Sequence, residues 1–162
     1  AGLGAAVVFA ESDLRRVISM RSMVLPSLTS GGPFMSGNPQ SRVLGPDPQS
    51  PTETTARATL YVALMTMVSC RLLETDGDLI IDGGFANNTW YCRLLAALTG
   101  HVRCFINLNS QGTAIGAGML TAWDTPENAW PLKLQSVEPF DDTELELYVR
   151  DWEAAVRVHC NI

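Results

Sequence analysis

Apolar positions along this chain change period several times, and each change marks an element. Leu14, Val17 and Ile18 share one face of a short helix over residues 12–20, with Ser12 as its candidate cap. From Ala56 to about Leu73 the spacing is helical again, with Leu60, Leu64, Met67, Val68 and Arg71 or Leu72 on one side. Thr52 or Thr54 is placed to cap that helix, Glu53 falls in its first turn, and Asp76-Gly77-Asp78 ends it. Leu79-Ile80-Ile81 then reads as a short strand, all apolar, of the kind buried on both faces of a parallel sheet. A helix follows from about Asn88 to Leu98 and stops at Gly100. Val102 to Ile106 reads as a strand, Thr113 to Trp123 as a helix, and Leu132 to Val137 as a last strand. Thr143 to Val158 is amphipathic, with Leu147, Val149, Trp152 and Val156 inward and charge opposite. The alternation of helix and strand predicts a layered α/β domain.

Residues 26–51 break this regularity. Six prolines (26, 33, 39, 46, 48 and 51) and Gly31, Gly32, Gly37 and Gly45 make a long irregular segment. Loops of that length within a compact domain are uncommon, and they tend to be functional or disordered.

The 162 residues suit one domain, and 46% hydrophobic against 17% charged residues is enough apolar material for a core. A net charge of −6 with 11 Lys plus Arg offers no basic face, which argues against nucleic acid and against an anionic membrane surface. No stretch reaches the roughly 18 apolar residues of a membrane helix. Cys70, Cys92, Cys104 and Cys160 form no C-x-x-C pair and are joined by only two histidines, so they read as reduced core thiols of a cytoplasmic protein and not as zinc ligands. The start at Ala1, inside an apolar run, points to a fragment.

Two glycine turns carry the candidate chemistry. In Leu79-Ile80-Ile81-Asp82-Gly83-Gly84-Phe85-Ala86-Asn87-Asn88, a strand runs through two glycines into a polar helix start. Glycines there let a ligand approach the backbone, and free N–H groups at the helix start favour an anion such as phosphate. Asn87 or Asn88 is placed either to cap the helix or to bond a nucleotide. A tight capped loop with no ligand is the competing reading. In Gln111-Gly112-Thr113-Ala114-Ile115-Gly116-Ala117-Gly118, small residues line a helix start. They suit a hinge or tight helix–sheet packing. The run is neither a Walker A loop nor a G-x-G-x-x-G fingerprint.

The order of these landmarks is more specific than either one alone. Arg57-Ala58 in a long helix, Asp82-Gly83-Gly84 after a strand, Leu95-Ala96-Ala97-Leu98-Thr99-Gly100 closing the next helix, His101-Val102 opening a strand, and the Gly112–Gly118 helix resemble the C-terminal domain of the FGGY carbohydrate kinases over about residues 30–123. The resemblance implies an actin-like ATPase (ribonuclease H-like) α/β fold, with residues 1–162 as the C-terminal, adenosine-side lobe of a two-lobed sugar kinase. It implies that Asp82, Gly83, Gly84 and Asn88 line an adenosine and α-phosphate site, and that Gly116 and Ala117 sit on a hinge helix against the other lobe. ATP and Mg2+ are the implied cofactors, with the metal ligands mainly in the other lobe. The implied partners are that N-terminal lobe and a sugar or polyol, and self-association is expected of an isolated lobe. The chain departs from the family at Tyr61-Val62, where Glu-Gly is usual, at Ala97, where Asp is usual, and at Ala117-Gly118, where Ala-Ala is usual. These mark a divergent branch.

No catalytic residue is assigned. Phosphoryl transfer needs metal-bound phosphates and a positioned nucleophile, and neither Asp13 nor Asp47 stands in the context of a base. Asp141-Asp142 with Glu144 and Glu146 read as a solvated helix start matched to the helix dipole. His101 reads as a turn or edge residue, and the four tryptophans as core or interface. The functional expectation is therefore the adenosine side of a sugar kinase, inactive alone. The alternative is a non-catalytic actin-like nucleotide-binding or regulatory module.

Overall fold

The computed structural model describes residues 8–26, 34, 42–74, 76–100, 103–109, 112–121 and 133–160. Its elements are α1 (Glu11–Ser19), β1 (Met23–Leu25), β2 (Arg42–Leu44), α2 (Pro51–Leu72), β3 (Leu79–Ile81), a 3-10 helix (Gly83–Asn87), α3 (Thr89–Thr99), β4 (Cys104–Asn107), α4 (Gly112–Leu120), β5 (Leu134–Ser136) and α5 (Thr143–Cys160). They gather into two compact units, Ala1–Leu73 with Asp141–Ile162, and Glu74–Phe140.

In the first unit α2 is the longest element, and its start is fixed locally. Pro51 takes the first helical position, where its missing N–H costs nothing. Ser50 Oγ accepts the Glu53 N–H at 3.1 Å, and Glu53 Oε2 accepts the Gln49 N–H at 2.7 Å. Ser50 is thus the cap, not Thr52 or Thr54; the Thr54 hydroxyl donates to the Ser50 carbonyl instead. Likewise α1 is closed by the Asp13 carboxylate accepting the Ala10 N–H at 2.9 Å, and Ser12 is merely exposed in its first turn. Leu14, Val17 and Ile18 of α1 are buried, as are Leu60, Leu64 and Met67 of α2, as their spacing predicts, but Val68 is only half-buried and Arg71 and Leu72 at the end of that face are exposed. The buried stripe of α5 is Leu145, Tyr148, Trp152, Val156 and Cys160; Leu147 faces solvent.

Part of the irregular segment is ordered into a hairpin partner. β2 pairs antiparallel with β1, Val24 opposite Val43. Two side chains of α5 bond backbone carbonyls at β1: the Tyr148 hydroxyl donates to the Ser22 carbonyl at 3.0 Å and the Trp152 indole N–H to the Val24 carbonyl at 2.8 Å. Buried aromatic residues with a polar atom find a partner this way. Arg57 bonds the Ser22 hydroxyl, which in turn donates to the Pro46 carbonyl. The landmark arginine therefore pins the loop that leaves β2.

In the second unit β3 runs parallel to β4, with Ile80 beside Phe105, and β5 runs antiparallel to β4. Parallel neighbours need a crossover, which α3 supplies. Ile81, Cys104 and Val137 are buried on one sheet face, and α3 packs against β4 with Cys92, Leu94 and Leu95 buried. Ile80 is 42% exposed, so β3 is not buried on both faces. Residues alternate across a strand, and Ile80 and Phe105 fall on the face opposite Ile81 and Cys104. Cys92, Cys104 and Cys160 are buried and Cys70 is half-buried, and none of the four is in a disulfide. His101, Val102, Trp123, Trp130 and most of residues 26–41 lie outside the described residues.

Candidate functional site

The first glycine turn grows out of β3. Asp82 has extended backbone, and Gly83 has φ 70°, a left-handed conformation that side chains beyond hydrogen disfavour. The chain does not enter α3 directly: Gly83–Asn87 winds as a 3-10 helix first. Asn88 then caps α3, its Oδ1 accepting the Tyr91 N–H at 3.0 Å. The turn is held from beneath. The Asn88 N–H donates to the Phe85 carbonyl at 3.0 Å, and the Cys92 thiol points at the same carbonyl at 3.5 Å. Burial first, and then the neighbouring Cys104, push the Cys92 thiol up to about 11, so it stays a protonated donor. A Cβ added at Gly83 or Gly84 would meet nothing within 4 Å, so the backbone of the turn is open to a ligand.

The second turn meets the first through one carboxylate. Asp82 Oδ2 accepts the Gly112 N–H, the first of α4, at 2.7 Å, and Asp82 Oδ1 accepts from Asn107 Nδ2 at 3.3 Å. A carboxylate at a helix N-terminus is favoured by the helix dipole. A Cβ on Gly112 would overlap the Asp82 carboxylate, so any larger residue here forces that carboxylate to move. Asn107 is buried at the end of β4, its Oδ1 accepting the Asn109 N–H. Neither Asn107 nor Gly112 was a sequence-level site residue. The signal for Asn107 was a polar residue closing the apolar strand Cys104-Phe105-Ile106. For Gly112 no local signal exists, since its constraint comes from a carboxylate 30 residues away.

Gly116 lies one turn further along α4, and a Cβ there, or on Gly118, would meet nothing within 4 Å. Tight helix–sheet packing is not what these small residues provide among the described residues. No residue of α4 is buried, and Leu120 is 66% and Met119 39% exposed.

The first unit contains a cleft of about 630 Å3 between α1 and the starts of α2 and α5. Its carboxylates are already matched. Glu53 pairs with Arg16 at 3.1 Å, Asp142 with Arg15 at 2.9 Å, and Glu144 with Arg21 at 3.1 Å. Asp142 Oδ1 also accepts the Glu144 N–H. Asp142 and Glu144 at the start of α5 are thus held in ion pairs, and no group of three or more potential metal ligands occurs among the described residues.

Residues 5–129 match the model of the carbohydrate kinase FGGY C-terminal domain. The chain belongs to the FGGY carbohydrate kinase family. It is similar to a carbohydrate kinase from Novosphingobium aromaticivorans, with 26% identity, TM-score 0.74, and 91% of this chain and 30% of that one covered. It also shares the fold of xylulose kinase from Rhodospirillum rubrum, at 18% identity and TM-score 0.54, with 91% of this chain and 33% of that one covered. None of the curated proteins matches it. This FGGY domain therefore spans about a third of the length of the kinases it resembles, and it has the actin-like, ribonuclease H-like α/β fold of their C-terminal domains. No helix among the described residues is long and apolar enough to cross a membrane.

Proposed function

We propose that this domain supplies the adenosine side of the cleft in an ATP-dependent sugar or polyol kinase. The observation that supports the reading is the open backbone of Gly83 and Gly84 beside a carboxylate, Asp82, that fixes one glycine turn to the other. Adenosine and the α-phosphate would lie along Gly83 and Gly84, with Asn88 closing the site from the start of α3. Gly116 and its neighbours on α4, with their exposed apolar side chains, would form the hinge surface toward the N-terminal lobe. ATP supplies the transferred phosphoryl group. Mg2+ would be held by carboxylates of the other lobe, as would the base. Lobe closure would exclude water from the reacting phosphate. Four cysteines outside disulfides fit a reducing, cytoplasmic setting.

The test is ADP release by the full-length protein across a panel of sugars and polyols. Sugar-stimulated turnover is expected, and its absence sinks the kinase reading. The isolated chain is expected to turn nothing over. Gly84→Asp places a carboxylate where phosphate would lie and should abolish nucleotide binding.

One observation favours a second reading. The Asp82 carboxylate and the Asn88 side chain both make bonds inside the unit, as expected if the turns survive only as architecture in a regulatory module. Calorimetry of the full-length protein with an ATP analogue separates the two. A sugar-dependent change in nucleotide affinity supports the kinase.

A further inference from the structure

Phe85 follows the two glycines and is 53% exposed. Of the exposed large apolar side chains among the described residues, it alone is aromatic. An isolated surface phenylalanine is ordinary, but this one is built in. Its ring rests against Tyr91, centroids 4.8 Å apart and planes inclined at 40°, and Tyr91 is itself buried. Its backbone is pinned by the Asn88 N–H and the Cys92 thiol. Tyr91, the ring's backing, donates its N–H to Asn88. The arrangement is a supported aromatic surface standing one residue from an open glycine backbone.

We propose that Phe85 is the stacking platform for the purine base of the bound nucleotide. The inference rests on the nucleotide reading of the Gly83–Gly84 turn and adds to it the residue that holds the base. A flat π-surface gains from an aromatic side chain without hydrogen-bond readout, so the platform recognises a base by its face. Because the ring is held before the ligand arrives, little side-chain freedom is lost on binding. Purine nucleoside triphosphates are preferred over pyrimidine ones for their larger face, while discrimination between adenine and guanine comes from elsewhere.

The experiment uses the full-length protein and isothermal titration with two probes, a non-hydrolysable ATP analogue and inorganic tripolyphosphate. Phe85→Ala is expected to weaken the analogue on the order of ten- to a hundredfold, to leave tripolyphosphate unchanged, and to be rescued by Phe85→Trp. Half-exposed Phe85 leaves the core intact when truncated, and the unchanged tripolyphosphate affinity reports that the turn survives. If Phe85→Ala binds the analogue like wild type while Gly84→Asp does not bind it, the site stands and the platform is overturned. Equal loss of both probes also overturns it, because Phe85 then only shapes the turn. If the wild type binds neither probe, the site reading fails and takes the platform with it.

Discussion

Helix α5 and helix α4 are both amply apolar, yet they present those side chains oppositely. α5 turns Leu145, Tyr148, Trp152, Val156 and Cys160 inward, and two of them also bond backbone carbonyls at β1. α4 buries nothing, and Met119 and Leu120 stand in solvent. What fixes α4 is its first residue, whose N–H is held by Asp82. The difference teaches that an apolar helix can be anchored at one end by a charge and left bare along its length. Such a helix has its surface available for a partner, whereas α5 is committed to its own unit.

The largest expected effect tests the committed helix. Trp152→Ala should cost about 3–5 kcal/mol through the lost volume and the orphaned Val24 carbonyl, read from the denaturant midpoint at constant slope. Next comes the anchor of the bare helix. Alanine in place of a helical glycine ordinarily stabilises by about 1 kcal/mol, yet Gly112→Ala should destabilise by about 1–3 kcal/mol because its methyl group overlaps Asp82. A neutral or stabilising result would dissolve the tie between the two glycine turns.

A pH series sharpens the comparison further. Burial pushes the Tyr148 phenol above its ordinary 10.0. The folded state then keeps the proton that the unfolded chain loses, so the contribution of Tyr148 to stability is full below about pH 10 and falls as the pH rises beyond it. Denaturant midpoints measured from pH 9 to 11.5 should show this decline, and Tyr148→Phe should make it shallower, with the buried Cys92 thiol carrying part of the remainder. The smallest effect belongs to α4: Met119→Gln with Leu120→Gln should change stability by only about 0.5 kcal/mol. In the full-length protein the same pair should lower sugar-dependent turnover. A large loss of stability would mean that α4 is packed after all.

Much of this was legible in the residues. The buried stripes of α1 and α2, the Asn88 cap, the stop at Gly100 and the order of the glycine turns follow from spacings of a few residues. The cap of α2 was written as Ser50-Pro51-Thr52-Glu53 but competed with two nearby threonines, and Pro51 at the first helical position decides for Ser50. The hairpin of β1 and β2 was hidden, because two three-residue strands in a Pro- and Gly-rich region carry too little periodicity to stand out.

The sequence by itself thus determined which stretches are helical and which residues offer an open backbone, since periodicity and glycine act over one or two turns, but it misplaced the caps of α1 and α2. Only the tertiary structure decided what those residues meet. It set Asp82 on Gly112 across 30 residues and Tyr148 on Ser22 across 126, and it left Ile80 and α4 exposed. Burial and long-range hydrogen bonds depend on which surfaces come together, and no local pattern encodes that.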